Sequence, residues 1–583
     1  MKIKHIILFL VGILSLSCQN KEASRPPNVI LIITDDQGYG DLGIHKNPNI
    51  ITPAIDAFAK KSIRFNNFHV SPVCAPTRSS LMTGRYSLRT GVKDTYNGGA
   101  IMAASEFTLA EMLKKVNYIT GIFGKWHLGD NYPSRPSDQG FDESLIHLAG
   151  GIGQVGDFTN YFKMETSYFD PVLWHNNKQR AYKGYCSDIF TQNAIDFIEK
   201  NHDQPFFCYL SFNAPHTPLQ VPDKYYQIYR GIDPSEGIDP KLLPIAEINE
   251  KSDEDARRVY AMVTNIDDNL NQLFQKLEVL GIEDNTIVIF MTDNGPQQAR
   301  FVGGMRGRKS SVHRGGIRVP FFISYPSKYS GNREMNQIAA HIDLVPTLSQ
   351  LCGAPLPKDR KIDGRSLVPA LEGKTLSERS FFSYWTRKFP EKYSNIALQR
   401  CNYKLVGKKD FDADVEDFEL YNLKEDPFEI NNLVGQNKEK ATSLKTEMDA
   451  FISELTLSPN LVNPPRIAIG TPYENPVYLN RNDAGGQRGV WNQEEIFSYW
   501  KVDIEKGVYD FKFKFLKPVD GPGEMVLELG QSILKKHNPL PNADQLVWRG
   551  VSLPKGTFDL IPFYRKQRIN NFFPLWVEIK KVE

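Results

Sequence analysis

Three short segments of this chain are apolar without interruption, and each runs straight into a polar cluster. Asn28-Val-Ile-Leu-Ile-Ile-Thr34 ends in Asp35-Asp36-Gln37-Gly38, and Pro205-Phe-Phe-Cys-Tyr-Leu-Ser-Phe212 in Asn213-Ala214-Pro215-His216. Thr286-Ile-Val-Ile-Phe-Met-Thr292 ends in Asp293-Asn294-Gly295. A strand with one wet face alternates apolar and polar residues, so a run without alternation must be covered on both faces, as in a parallel sheet between helices. Helical patterns over Pro53–Lys61, Thr108–Val116 and the long amphipathic stretch Glu254–Leu280 supply that cover. The alternation predicts an α/β fold. Ligands collect at the carboxyl ends of strands in such sheets, so Asp35-Asp36 and Asp293-Asn294 are expected to meet there.

At 583 residues the chain is too long for one core. Near Gly373 the pattern changes: Ser380 to Val406 alternates, Glu419–Leu433 reads as a strand and turn, and Glu439–Leu455 as a helix. From Pro465 onward short strands at Val508–Phe515, Glu524–Leu529 and Phe573–Lys580, separated by Gly, Asn and Pro, predict a small β-sandwich. The expected division is a catalytic domain over 27–375, a smaller α+β subdomain over 376–460 and a β-sandwich-like accessory domain over 465–583. The formal net charge of +2 gives no global attraction to nucleic acid or anionic membrane, so any anion chemistry must come from local clusters.

The first residues carry Lys2 and Lys4, then an apolar run from Ile6 to Leu16 too short for an ordinary membrane span. Residues 1–17 read as a signal peptide. Ser15-Leu16-Ser17-Cys18 is a loose lipobox, which would make Cys18 an acylated first residue; the alternative is a plain signal peptide cut nearby. Either way the protein is expected to be exported, as an envelope lipoprotein at the outer membrane or cell surface or in the periplasm. Of the six cysteines, Cys186, Cys208, Cys352 and Cys401 are spaced too irregularly for a zinc site or disulfide framework. They are expected to be buried small hydrophobes, with room for one disulfide.

Cys74 is different. Pro76 suits the first turn of a helix, which puts residue 74 at a helix N-terminus where backbone N–H groups favour an anion. Arg78 adds a permanent planar cation. Cys74-Ala75-Pro76-Thr77-Arg78 with Leu81-Met82-Thr83-Gly84-Arg85 resembles the signature of the formylglycine-dependent (type I) sulfatases of the alkaline-phosphatase superfamily. Further matches follow in that family's order: Asp35–Gly38, Gly124-Lys125-Trp126-His127-Leu128-Gly129, Ala214–Pro218, Thr292–Gly295 and Arg306–Lys309 leading to Gly315–Pro320. The resemblance covers Pro27 to Phe451 and implies an alkaline-phosphatase-like mixed sheet sandwiched by helices.

The resemblance also implies the chemistry. Cys74 would be oxidised by a formylglycine-generating or equivalent maturation enzyme to formylglycine (3-oxoalanine), whose hydrated form attacks the sulfur of a sulfate ester. Asp35, Asp36, Asp293 and Asn294, with residue 74, would hold one calcium ion; magnesium is the other hard cation that such an oxygen set takes. Arg78, Lys125 and Lys309 would neutralise the sulfate oxygens, His127 would act as base on the second diol hydroxyl, and His216, with Lys309, would serve as acid for the leaving alcohol. Taken singly, these residues have plainer readings: Asp35-Asp36 as a helix cap, either histidine as structural, and Lys309 as part of a solvated basic face with Arg300, Arg306, Arg308 and Arg314. Their recurrence in one family order weighs against those readings.

Two positions depart from the family pattern. Arg314 replaces an acidic residue, and Ser87 stands where a proline is common. An extra cation near the pocket suits a polyanionic substrate. Asp94, Tyr96, Asn97, Gln297, Gln298, Arg300, His313 and Arg314 are candidate pocket residues, and their plain reading is polar loop. Export plus family points to a sulfated polysaccharide or its oligosaccharides, with algal glycans such as ulvan or carrageenan ahead of glycosaminoglycans. The competing readings are a phosphomonoester or phosphodiester hydrolase of the same superfamily, or an inert glycan-binding lipoprotein.

Overall fold

The computed structural model describes residues 25–583 apart from 244–248, 390, 492, 520, 540–541 and 567–569. The signal segment 1–17 and Cys18 lie outside the described residues. One ten-stranded sheet organises the large amino-terminal part. Its spatial order is 333–335, 63–65, 321–324, 286–292, 28–34, 206–211, 119–125, 143–147, 172–175 and 178–181. The five strands from 286–292 to 143–147 run parallel, and antiparallel partners flank them.

The unbroken apolar run Asn28–Thr34 lies next to the centre of this sheet with every residue buried. Val29, Leu31 and Ile33 face one core, with Leu81, Leu109, Leu344 and Leu348. Ile30 and Ile32 face the other, with Ile55, Phe190, Met262 and Leu270. Period-two alternation thus sends successive residues into two cores, and a polar residue at either phase would be stranded.

The helices form largely where expected. Pro53–Lys61 matches, and Leu109–Lys114 starts behind Thr108, whose hydroxyl and Glu111 build a capping box. The long helix spans Glu250–Val279, four residues earlier than the apolar pattern indicates. Asn249 and Ser252 cap it reciprocally, and that first turn carries no core residue to reveal it.

The smaller unit has four antiparallel strands, 380–384, 396–400, 403–407 and 419–422, against the helix Lys438–Thr456. The carboxyl-terminal part contains a seven-stranded and a four-stranded sheet over one aromatic-rich core with Trp500, Phe511, Phe513 and Tyr564. It docks on loops of the ten-stranded sheet: Asn480 Nδ2 donates to Asp130 at 2.8 Å, and Glu474 accepts from Asn131 Nδ2 and from the Tyr132 amide. Among the described residues no helix is long and apolar enough to cross a membrane. The five described cysteines are all free; Cys74, Cys186, Cys208 and Cys352 are buried, while Cys401, expected inside, is exposed at a turn between two strands.

Candidate active site

Thr34 and Thr292 are register partners on adjacent parallel strands, so Asp35-Asp36 and Asp293-Asn294 leave the sheet side by side. Backbone bonds fix the junction: the Asp293 amide donates to Thr34 O, and the Asp35 amide to Ala214 O, which brings in the loop carrying His216. The Asp36 amide donates to Asp293 Oδ1 at 3.2 Å. The aspartate pair caps no helix.

The helix Cys74–Thr83 points its first turn at this edge. Val73 before it is extended and offers no side-chain cap, which leaves the first amides without a capping side chain. All ten residues of the helix are buried, Arg78 included. A buried guanidinium must be paired. Its Nε and Nη2 donate to Asp293 Oδ2 at 3.1 and 2.9 Å, and its Nη1 donates to Ser211 Oγ and Lys125 O. Arg78 thus clamps the Asp293 carboxylate and the end of the strand Ile119–Lys125.

Lys125 Nζ donates to Asp35 Oδ2, and Lys309 Nζ lies 2.6 and 2.9 Å from the two oxygens of Asp36. Lys309 is not on a solvated basic face. Its amide donates to Pro296 O and the next amide to Pro72 O, which pins it between the Asn294 and Cys74 loops. Burial opposes ionisation of Asp35, yet Lys125, His216 and Arg78 hold it well below the usual carboxylate range. Burial and the neighbouring Asp35 charge push Asp293 up to about 7 against the pull of Arg78. Burial also pushes the Cys74 thiol up, so it is no thiolate nucleophile at neutral pH.

The oxygen set fits a hard cation. Ligand atoms of Asp35, Cys74 and Asp293 lie within 4.8 Å of one another, as do those of Asp35, Asp36 and His216. Asp35 Oδ1 and Asn294 Oδ1 are buried without a hydrogen-bond partner. Asn294 Nδ2 donates to Asp36 Oδ1 and Gly295 O, which turns its own oxygen toward the cluster. Orphaned buried oxygens of this kind are costly unless a cation or water completes them.

Both histidines are oriented by backbone carbonyls. His127, at φ 60°, puts Nε2 2.7 Å from Thr95 O and Nδ1 3.5 Å from Cys74 Sγ. Burial and Lys125 keep the ring neutral, so its single N–H goes to Thr95 and the Nδ1 lone pair faces residue 74. Gly150 packs flat on this ring: a Cβ there would sit 2.8 Å from His127 Cε1. His216 hydrogen-bonds Thr217 O through Nδ1 and holds Nε2 3.6 Å from Asp36 Oδ2. Thr95, Gly150 and Ser211 were not among the expected site residues, because their contributions are a carbonyl, an absent side chain and a hydroxyl that no motif reports.

The candidate pocket residues divide. Gln297 and Gln298 line an open cleft of about 1130 Å³ beside Thr217, together with Arg308, Arg258, Lys251 and Met164. Tyr96 and Asn97 are half-buried next to Thr95, and Asp94 is buried beneath them. Arg300, His313 and Arg314 are not pocket residues. Arg300 pairs with Asp41 and donates to Asp36 O, bracing the Asp35-Asp36 loop. His313 and the Arg314 amide contact buried Glu429, and the Arg314 side chain turns to Pro427 O, so the extra cation lies away from the cleft.

The family model for sulfatases matches residues 27–354, more than half of the chain, and that for the C-terminal region of N-sulphoglucosamine sulphohydrolase matches 308–456. N-acetylgalactosamine-6-sulfatase of Homo sapiens is 29% identical over 390 residues, 62% of this chain and 69% of that protein. N-acetylglucosamine-6-O-sulfatase of Bacteroides thetaiotaomicron is 28% identical over 520 residues, 74% of this chain and 87% of that one. Among solved structures, Ps i-CgsB is similar at a TM-score of 0.64 and 28% identity, over 75% of this chain and 94% of that one. Sequence match, sheet topology and the residues gathered at the strand ends agree, and the chain belongs to the sulfatase family, the sulfuric ester hydrolases of the alkaline-phosphatase superfamily.

Proposed function

We propose that this enzyme hydrolyses sulfate esters on a sulfated polysaccharide or its oligosaccharides, with algal glycans of the carrageenan or ulvan type favoured. The observation that carries the reading is the convergence of Cys74, at an uncapped helix start, with the oxygens of Asp35, Asp36, Asp293 and Asn294 and with Lys125, His127, His216 and Lys309. A hydrated formylglycine at position 74 would supply an oxygen nucleophile, and Asp35, Asp36, Asp293 and Asn294 would hold a calcium ion that supplies positive charge beside it.

The remaining roles follow from this chain's own groups. The Thr95 carbonyl selects the His127 tautomer, so Nδ1 accepts a proton from the side chain at position 74. Lys125 and Lys309, each on a carboxylate, hold two ammonium groups close enough to act on residue 74, which suits the neutralising of sulfate oxygens there. His216 and Lys309 both stand at Asp36, each next in sequence to a cleft-lining residue, Thr217 and Arg308, which suits the leaving-group side, where a proton must reach the departing alcohol. The open cleft suits several sugar units rather than one. The similar Ps i-CgsB has been crystallised with k-i-k-neocarrahexaose, which supports the carrageenan class.

The amino-terminal pattern supports export with a lipid anchor at Cys18, and activity depends on a maturation enzyme acting on Cys74. The test is release of inorganic sulfate and phosphate from sulfated algal and animal oligosaccharides and from phosphodiesters, after co-expression with a formylglycine-generating enzyme. Sulfate from one glycan class, absent with Cys74→Ala, is the expected result. Phosphate release alone would overturn it in favour of the phosphohydrolase reading.

A further inference from the structure

The accessory sheets lie beyond the matched family segments, which end at residue 456, yet one of their turns reaches the reaction centre. The Gly98 amide donates to Asn482 O, and Asn97 Nδ2 to Gly486 O. Through these bonds the carboxyl-terminal part holds the loop whose Thr95 carbonyl orients His127. Three separate segments then meet above Asp94. Arg387 stacks 4.8 Å from the ring centres of both Tyr96 and Trp385 and donates to Asp94 Oδ1 and Thr95 Oγ1. From the accessory side, Trp491 sits 5.2 Å from Tyr96, and Arg488 Nη1 lies 3.6 Å from Asp94 Oδ2.

The charges do not cancel. Lys93, Arg387 and Arg488 surround a single carboxylate, which Trp385 Nε1 also contacts at 3.3 Å. The side chains of Arg387 and Arg488 remain 41% and 36% accessible, so both forks keep donors for a ligand. Arg488 Nη1 and Trp491 Nε1 have no hydrogen-bond partner although both atoms are buried. Aromatic faces beside arginine forks are the chemistry that binds an anionic sugar: the pyranose stacks, and its oxyanion takes the guanidinium.

We propose that the accessory domain completes a sugar subsite beside the reaction centre, where a pyranose ring packs against the Tyr96–Trp491 pair and Arg387 and Arg488 bind that ring's sulfate or carboxylate. This rests on the glycan reading above. It makes the enzyme selective for oligosaccharides that carry a second anion on a unit next to the one cleaved.

The experiment is calorimetric titration of Cys74→Ala protein with a galactose sulfate and with tetrasaccharides of carrageenan, which carry sulfate only, and of ulvan, which add carboxylate. The parent is expected to bind at least one tetrasaccharide more tightly than the monosaccharide. Arg488→Gln and Trp491→Ala, each checked for an unchanged Tm, are expected to weaken that binding about tenfold, the loss of one charge-assisted hydrogen bond or one stacked ring. They are expected to leave monosaccharide binding within about twofold of the parent, a change of well under 1 kcal/mol. Tetrasaccharide binding no tighter than that of the monosaccharide, or undiminished in both variants, would overturn the subsite. Carrageenan and ulvan responses separate the two anions. Sulfate release by the formylglycine-bearing protein is scored separately, so its absence alongside the expected binding pattern refutes hydrolysis while supporting the subsite.

Discussion

Gly150 offers the sharpest check on how His127 is held. Nothing in its backbone conformation demands glycine, since its φ lies outside the left-handed region. What demands glycine is the imidazole packed against it. An alanine Cβ would stand 2.8 Å from Cε1, 3.0 Å from Nε2 and 3.5 Å from Nδ1, whereas ordinary contact begins at 3.4 Å. The ring must therefore retreat by about 0.6 Å, the difference between 3.4 and 2.8 Å. It cannot do so and keep both the 2.7 Å bond to Thr95 O and the 3.5 Å approach to residue 74. Displacements on the order of 1 Å cost about a hundredfold in rate, or roughly 2.7 kcal/mol of barrier. Gly150→Ala should lower kcat for sulfate release by about that factor, with Tm little changed. Gly150 acts only through the ring, so the same substitution in a His127→Ala background should cost little more. Full activity in Gly150→Ala, or an equal loss in both backgrounds, would refute the positioning argument.

Three further outcomes are expected. Cys74→Ala should abolish turnover with the far-UV circular dichroism spectrum unchanged, and retained activity would remove residue 74 from the chemistry. Calcium should raise Tm, by up to about 2.7 kcal/mol of stabilisation at a hundredfold excess over Kd, and chelation should reverse this; an equal rise in Asp293→Ala would strike Asp293 from the ligand set. Glu429 is buried with Lys404 and His313; burial pushes its carboxyl up, but Lys404 and His313 pull it down to about 2. A depressed carboxyl stabilises the fold above its unfolded value of 4.5 and loses that contribution as pH falls toward 2. Glu429→Gln should therefore lose about 3–5 kcal/mol at neutral pH by leaving Lys404 buried without its counter-ion, and the Tm gap to wild type should close across that acid window. A gap independent of pH would show that packing, not charge, makes the contact.

Much of the centre was legible because short stretches of chain encode it. Cys74-Ala-Pro-Thr-Arg78 carries both the helix start and its reactive position, and Asp35-Asp36 and Asp293-Asn294 follow strands whose apolar runs announce themselves. The residues read wrongly as pocket, Arg300, His313 and Arg314, are polar groups whose partners Asp41 and Glu429 lie far away in sequence. A charged side chain looks the same in a string whether it meets substrate or a buried carboxylate. The helix start at Glu250 was missed because a polar capping box carries no periodicity.

What the sequence determined by itself was therefore local: period-two burial on two faces, the Pro76 helix turn, and the identity of the oxygen and nitrogen groups at each strand end. Tertiary structure decided which of those groups face each other. Register between Thr34 and Thr292 sets the two aspartate pairs side by side, and the Thr95 carbonyl chooses the lone pair that His127 presents to residue 74. Packing of the carboxyl-terminal sheets brings Arg488 to Asp94 and Trp491 to Tyr96 across almost four hundred residues of chain. Residue types and spacings travel with the chain; hydrogen-bond direction, ring orientation and the burial of a charge exist only once distant segments have packed.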